Sequence, residues 1–360
     1  MKQFRVAVVG ATGMVGQRFL TLLDGHPWFQ TVAVAASPRS AGQTYGQAVA
    51  GRWVMDRLIP EDVLNMTVLD ASDIKAVSKE VDFIFCAVDM PKAEVRKLEE
   101  AYASAETPVI SNNSACRMLP DVPMLIPELN ADHARVIDQQ RRRLGSKRGF
   151  IAVKPNCSIQ SYVPVLHPLR QFGLREVSVC TYQAVSGAGK TLQNWPEMLD
   201  NVIPFIGGEE EKSEQEPLKI WGTMTDDGIE LASAPNISAQ CLRVPVSDGH
   251  MAAVSVRFDE KPSSADILAA WRDWKTLPQE LELPSAPKPF LRYFEESDRP
   301  QTRLDRDEGR GMAVSIGRLR EDPIMDWRFV ALSHNTLRGA AGGGVLSAEL
   351  LCKEGWIEPK

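Results

Sequence analysis

Two stretches of the chain carry residue types that chemistry uses. Lys154-Pro155-Asn156-Cys157-Ser158 follows a strand-like run at 149–153 and precedes Ile159, Tyr162, Val163, Leu166 and Leu169 at helical spacing, with Pro164 set to kink that helix. A cysteine at a strand-to-helix junction sits where a helix N-terminus stabilises a thiolate, the form that attacks acyl carbon. Of the other five cysteines, Cys86, Cys180 and Cys241 lie in strand patterns and Cys352 in a helix pattern. There a free thiol reads as a small buried hydrophobe. Cys116 stands on a polar loop beside Arg117, where the buried reading is harder to apply and adventitious reactivity stays open. A thiol nucleophile also needs a base. His26, His133 and His167 fall in a turn, a polar helical stretch and the late part of the helix after Cys157. His250 ends the turn Val246-Ser247-Asp248-Gly249-His250 between two strand-like runs, and His334 precedes Asn335 near a glycine-rich turn. Spacing alone leaves both of these open as the base.

The second stretch is Gly10-Ala11-Thr12-Gly13-Met14-Val15-Gly16, between the apolar run Phe4 to Val9 and an amphipathic stretch at 14–24. Glycines at this junction let backbone approach a pyrophosphate whose charge rests on the helix N-terminus. A dinucleotide site for NAD carries an acidic residue about 20 residues on, at the end of the second strand. Here the second strand ends in Ala35-Ala36-Ser37-Pro38-Arg39-Ser40. Ser37, Arg39 and Ser40 suit a 2′-phosphate by charge and hydrogen bonding, so NADP is the expected cofactor.

The elements that must position these residues are of two kinds. Apolar runs at 4–9, 31–36, 81–88 and 108–110 alternate with helical patterns, which predicts βαβ units and a parallel sheet. From about residue 150 the runs at 149–153, 177–183, 240–246 and 251–258 are more β-branched with fewer helices between them, which predicts a second α+β domain with a more antiparallel sheet. The stretch 277–312 reads as loops and short strands, and Leu337 to Leu351 as a glycine-rich turn into a terminal helix. The expected division is 1–155 with 336–360 against 156–335. A length of 360 residues at 44% hydrophobic content supplies two cores. A net charge of −6 gives no electrostatic reason to expect nucleic acid or anionic membrane. No run approaches the roughly 18 apolar residues of a membrane span, the N-terminal residues show no signal-peptide pattern, and no cysteine–histidine spacing fits a metal site. A reduced, soluble, cytoplasmic protein without a metal is the expectation.

Taken with Val244-Pro245-Val246-Ser247-Asp248-Gly249-His250, these motifs make the sequence resemble the aspartate-β-semialdehyde dehydrogenases, in their archaeal and fungal-like branch. The resemblance runs over essentially the full length. It takes in Ser111-Asn112-Asn113-Ser114 leading to Arg117, Ile126 to Asn130, Asn156-Cys157, Gln183 with Ser186 to Lys190, Glu209 to Lys212, Arg243 to His250, and Asn335 with Arg338-Gly339. It implies a Rossmann-type N-terminal domain, a catalytic and dimerisation domain, and an active site at their seam. The implied reaction is the NADPH-dependent reduction of L-4-aspartyl phosphate to L-aspartate 4-semialdehyde, with release of phosphate, for lysine, threonine, methionine and isoleucine synthesis. By the same resemblance Cys157 is the nucleophile, His250 the acid/base, Gln183 the residue that orients the thioester, and Asn156 part of the catalytic motif. Arg243 grips the substrate carboxylate and Glu209 faces its ammonium. Arg117 and Lys212 bind phosphate, and Ser186, Gly187, Gly189 and Asn335 lie near the nicotinamide half of the cofactor. A homodimer or homotetramer is implied too.

Three rival readings differ in what they demand. Ala184 to Thr191 approaches the phosphate loop GxxxxGK[ST], but Ala184 replaces the first glycine and Pro196 interrupts the helix pattern after it. A short-chain reductase needs Tyr-x-x-x-Lys, and none of the five tyrosines has Lys four residues on. Reduction of a CoA thioester such as malonyl-CoA would use the same Cys157 and His250. Glu209 and Lys212 favour a substrate with an ammonium and a phosphate.

Overall fold

The computed structural model describes residues 3–360; Met1 and Lys2, part of the N-terminal stretch read for a signal peptide, lie outside them. The described chain divides into two compact units, one of residues 3–154, 224–229 and 341–360, the other of 155–223 and 230–340.

The first unit is built on six parallel strands: β1 (Phe4–Val9), β2 (Phe29–Ala36), β3 (Val68–Asp70), β4 (Phe83–Cys86), β5 (Val109–Ser111) and β6 (Ile151–Val153). Their order is β3-β2-β1-β4-β5-β6, which reverses direction between β1 and β4. Strands covered on both faces must be apolar on both, and that is why β1 and β4 read as unbroken hydrophobic runs. The helices Met14–Leu23 and Gly342–Lys353 pack on each other, with Gly344 so close to Phe19 that a Cβ would lie 2.9 Å from its ring. Phe19 stacks on Phe85 at 4.7 Å between ring centroids. The run at 149–153, read as opening the second texture, is the edge strand of this parallel sheet.

The second unit carries a mixed sheet of β7 (Leu174–Gln183), β10 (Asn236–Arg243), β11 (His250–Phe258), β12 (Leu291–Phe294), β13 (Val314–Glu321) and β14 (Trp327–Ser333), in the order β10-β7-β11-β14-β13-β12. The four central strands are antiparallel neighbours, while β10 and β12 join the two edges in parallel. One face is sealed by aromatic packing: Trp271, in the helix Ser264–Arg272, lies 5.8 Å from Tyr293 and 5.4 Å from Phe329 between ring centroids. The helix Glu209–Ile220 runs along β10. Its Glu214 and Glu210 accept hydrogen bonds from the Ala239 and Cys241 amides at 3.1 and 3.2 Å. Those contacts blunt an edge strand that would otherwise offer open amides.

One reading is corrected by this architecture. The single helix expected after Cys157 is three short pieces: a 3₁₀ turn Ser158–Ser161, one α-turn Val163–Leu166 and a 3₁₀ turn His167–Phe172. Pro164 and Pro168 have no N–H to give, so each restarts the coil instead of continuing it. The small hairpin β8 (Thr223–Thr225) and β9 (Gly228–Glu230) had no signal in the sequence. Its tip belongs to the first unit because Ile229 N–H donates to Pro120 O at 2.9 Å and Gln139 Nε2 to Thr225 O at 2.7 Å. The last crossing of the chain falls at 340/341, beyond the expected 335/336. Residues 336–339 wrap His334: Thr336 N–H reaches its Nδ1 at 3.3 Å and Gly339 N–H its carbonyl at 2.9 Å.

Candidate active site

In the second unit, Cys157 Sγ lies 3.5 Å from His250 Nε2. The sulfur belongs to a loop leaving Lys154-Pro155, and the ring to the first residue of β11, paired with Ser333 of β14. Gly249, at φ +97°, makes the sharp entry into β11. Ala184 N–H donates to His250 Nδ1 at 3.1 Å, which fixes the ring's rotation. The ring is fully buried, and burial, helped by the Arg243 charge, pushes its pKa down to about 3. A side chain with this shift is neutral across the physiological range. The other candidate base, His334, is occupied differently. Its Nδ1 accepts from Thr336 and Leu337 N–H, and its Nε2 stands 3.7 Å from Asp307 Oδ1.

A polar network holds the nucleophile's loop. Asn156 donates through Nδ2 to both Glu209 oxygens at 3.0 Å, while its Oδ1 accepts from Ser158 N–H at 2.8 Å and Ser158 Oγ at 2.7 Å. Its backbone N–H donates to Glu216 Oε2 at 2.5 Å. Asn156 is therefore committed to shaping the loop around Cys157. Gln183 Nε2 and Lys212 Nζ also donate to Glu209, at 3.3 and 2.7 Å. Burial alone would raise the Glu209 carboxyl's pKa. The Lys212 ammonium and the bonds from Lys212, Asn156 and Gln183 outweigh it and hold the group below the usual carboxylate range. Glu210 is spent on β10 and Glu211 is exposed. Arg243, buried at the end of β10, donates through Nη1 to Ala184 O at 2.7 Å.

Two glycines mark how tightly this centre is packed. A Cβ on Gly187 would stand 2.8 Å from Arg243 Nη1 and 3.0 Å from His250 Nε2, and one on Gly339 would stand 2.9 Å from Cys157 Cβ. Asn335 ties two loops together, accepting from Gly249 N–H at 2.7 Å and donating to Ser186 Oγ at 2.8 Å. Two further residues, Glu216 and Arg306, carry the site without a signal in the sequence, and Ser158, quoted only as part of the cysteine motif, joins them. Glu216 holds Asn156, Ser158 folds the turn, and Arg306 donates to Ser247 Oγ and Asp248 O at 2.9 and 3.0 Å before His250. The segment 184–191, which approaches a phosphate loop in sequence, lacks the helix that motif needs. Gly189 takes φ +68°, Lys190 lies 4.4 Å over the Trp195 ring, and the next helical element is a three-residue 3₁₀ turn, Pro196–Met198.

The first unit holds the glycine turn and the loop of Arg117. Gly10 takes φ +85°, and a Cβ there would lie 2.3 Å from Ala87 O; a Cβ on Gly16 would lie 2.2 Å from Gly10 O. Below the turn, Tyr45 Oη donates to Ala11 O at 2.8 Å and Gln17 Nε2 to Thr12 O at 3.0 Å. The opening amides of the helix Met14–Leu23, with Gly13 before it and Met14 and Val15 half-buried, have no acceptor within the helix. That arrangement fits a dinucleotide pyrophosphate. At the end of β2, Ser37 and Arg39 are exposed while Ser40 is buried, its N–H closing the turn on Ser37 O at 2.9 Å. A cation without a carboxylate at that turn suits a 2′-phosphate. Arg117 is buried, with Nη2 donating to Asn112 O at 3.2 Å. Cys116 is buried, and burial together with Glu99 pushes its thiol well up, which argues against the adventitious reactivity left open by its polar loop. Among the described residues no group of three or more histidine, cysteine or acidic side chains could hold a metal ion, and no helix is long and apolar enough to cross a membrane.

A parallel sheet with a glycine turn, followed by a mixed-sheet unit bearing a cysteine–histidine pair, defines a semialdehyde dehydrogenase. Residues 5–137 match the model of the semialdehyde dehydrogenase NAD binding domain, and residues 166–338 that of the semialdehyde dehydrogenase dimerisation domain. Aspartate-semialdehyde dehydrogenase of Archaeoglobus fulgidus is 43% identical over 98% of this chain and 99% of its own length. The enzyme of the same name from Schizosaccharomyces pombe is 42% identical over 98% of each chain. The crystal structure of aspartate semialdehyde dehydrogenase with NADP from Candida albicans superposes with a TM-score of 0.88 at 36% identity, over 99% of this chain and 100% of that one. Aspartate semialdehyde dehydrogenase II of Vibrio cholerae gives 0.74 at 25% identity, over 98% and 99% of the two chains. The chain belongs to the aspartate-semialdehyde dehydrogenase family.

Proposed function

We propose that the chain reduces L-4-aspartyl phosphate to L-aspartate 4-semialdehyde with NADPH, releasing phosphate, as a step in amino-acid biosynthesis. The observation that carries this reading is the Cys157–His250 contact of 3.5 Å beside the Glu209 network. The Cys157 thiolate attacks the acyl carbon, the carbon–oxygen bond to phosphate breaks, and a thioester forms. NADPH, when bound, supplies the hydride that reduces that thioester. His250 then manages the proton as the thiohemiacetal oxygen forms the aldehyde and the carbon–sulfur bond breaks. Gln183 orients the acyl group. Arg243 offers a fork to the α-carboxylate, Glu209 faces the ammonium, and Arg117 and Lys212 take the phosphate. Gly10 to Gly16 hold the pyrophosphate, Ser37, Arg39 and Ser40 the 2′-phosphate, and Ser186, Gly187, Gly189 and Asn335 the nicotinamide half. On this reading residues 1–155 with 336–360 form the NADP-binding domain and 156–335 the catalytic and dimerisation domain.

A homodimer through the mixed sheet is part of the proposal, with a tetramer as its doubling. On β7 and β11 exposure alternates, so that Ser178, Cys180, Tyr182, Met251 and Ala253 form a half-open face whose apolar members want a partner. All six cysteines are free, which supports a reducing compartment such as the cytoplasm. The test is one assay run backwards. Purified protein with L-aspartate semialdehyde, NADP and phosphate gives NADPH absorbance, Cys157→Ala abolishes it, and His250→Ala leaves a slow remainder. Inert wild type that instead reduces malonyl-CoA refutes the substrate and keeps the mechanism. Light scattering in solution reads the oligomer.

A further inference from the structure

The Cys116 that the proposed mechanism leaves unused lies beside a buried carboxyl group. Glu99, on the helix Lys92–Ser104 of the first unit, is fully buried. Its Oε1 accepts from Ser111 Oγ and, at 2.8 Å, from Asn113 Nδ2. Its Oε2 has no nitrogen or oxygen partner. The thiols of Cys86 and Cys116 flank the same carboxyl group, and Asn113 Nδ2 also stands 3.5 Å from Cys86 Sγ. The turn is tightened further by Asn113 N–H on Ser111 Oγ at 3.0 Å and Asn112 N–H on Cys86 O at 2.8 Å. One peptide on, Asn112 O receives Arg117 Nη2 at 3.2 Å. An unbroken path of hydrogen bonds thus leads from Glu99, through Ser111 and Asn113, to the guanidinium of Arg117.

We infer that Glu99 is a positioning residue for phosphate: by clamping Ser111 and Asn113 it sets where the 112–117 loop presents Arg117. The inference rests on the reading of Arg117 as a phosphate ligand. Two donors converge on Oε1, while Oε2 has no nitrogen or oxygen partner. Burial raises the carboxyl's pKa, and the bonds from Ser111, Asn113 and the thiols oppose that rise. Glutamine is a close isostere of this side chain. Its amide oxygen replaces Oε1, the atom that receives both donors, and its NH₂ takes the place of Oε2 against the thiols.

The test measures Glu99→Ala, Glu99→Gln and Ser111→Ala in the phosphate-dependent oxidation of L-aspartate semialdehyde, with thermal melting in parallel. Glu99→Ala and Ser111→Ala are expected to raise the KM for phosphate about ten-fold, the scale of one displaced charge-assisted hydrogen bond. The KM for NADP and kcat should stay within about two-fold, and Glu99→Gln should restore the phosphate KM. If Glu99→Ala does not fold, Ser111→Ala, which removes only a hydroxyl, decides. An unmoved phosphate KM, a Gln variant as impaired as the Ala variant, or equal rises in every KM overturns the inference. Wild type that does not turn over at all refutes the proposed function, and this inference with it. Turnover with an unmoved phosphate KM in the variants refutes this inference alone.

Discussion

Gly339→Ala is a strict test of the packing around the nucleophile. The added methyl would sit 2.9 Å from Cys157 Cβ and 3.2 Å from both its Cα and its carbonyl oxygen. Carbon atoms in good contact stand about 3.5–4.0 Å apart, so the shortfall is of order 0.6–1 Å. Two of the three opposing atoms are backbone, and no rotamer change relieves them. Either residues 337–341 or the Cys157 loop must move, and that loop is held by Asn156, Ser158 and Glu216. Overpacking of this kind costs about 1–3 kcal/mol. A nucleophile displaced by a sizeable fraction of an ångström loses roughly 10- to 100-fold in kcat. Gly207→Ala, where nothing lies within 4 Å of the new methyl, is the matched control. Steady-state kinetics, melting temperature and the rate of iodoacetamide inactivation should move together for Gly339→Ala and stay near wild type for Gly207→Ala. A Gly339→Ala enzyme within two-fold of wild-type kcat, by ordinary measurement error, refutes the account of how Cys157 is held.

Other expectations come from single contacts. His250 has a folded pKa of about 3 against 6.5 unfolded. Its contribution to stability is therefore complete above the unfolded pKa and is lost as pH falls from there towards the folded one, because the unfolded chain takes the proton first. Urea midpoints of wild type and His250→Gln should converge as pH drops from 7 to about 4.5, the window below the unfolded histidine pKa; parallel curves refute this. Arg39→Ala should weaken NADPH by about ten-fold and leave NADH unchanged, the signature of a lost phosphate partner; a direct titration in which both cofactors shift alike removes Arg39 from that role. In the first unit His26 Nε2 lies 2.9 Å from the fully buried Glu349 Oε1 and stacks on Phe29 at 4.6 Å between ring centroids. Removing the ring by His26→Ala should cost about 3 kcal/mol in chemical denaturation with kcat per folded enzyme unchanged. A loss below about 1 kcal/mol, the range of an exposed pair, contradicts it.

The parts legible in the sequence were those whose physics is local. A strand buried on both faces must be apolar throughout, so β1 and β4 stood out. The glycine turn stood out because only glycine fits where a Cβ would collide with Ala87 or Gly10. β13 and β14 did not, because Arg318, Arg320 and Arg328 interrupt any simple alternation. The apolar spacing after Cys157 persists through two prolines that break the hydrogen-bonded ladder, so it suggests a longer helix than the chain can form. Cys116 misleads because its chain neighbours are polar, while its surroundings are set by Glu99 on another element. The candidate site was legible as motifs and not as contacts. That Glu209 is the buried member of the Glu209–Glu211 run, and that Glu216 and Arg306 support the loops, depends on partners 30 to 60 residues away along the chain, such as Asn156, Cys241 and Ser247.

The three-segment make-up of the first unit has a consequence for synthesis. Its sheet is complete in strands once β6 has been made, yet its core still lacks the helix Gly342–Lys353, which brings Val345, Ala348 and Leu351 into the same cluster as Phe19 and Phe85. On the ribosome, the unit begun first of the two is therefore the last to close. The nascent chain must carry a half-covered sheet while nearly 200 further residues are polymerised, between Lys154 and Ala341. A protein built this way is open to proteases and chaperone capture until residues 341–360 have been made, and substitutions there should show first as loss of yield.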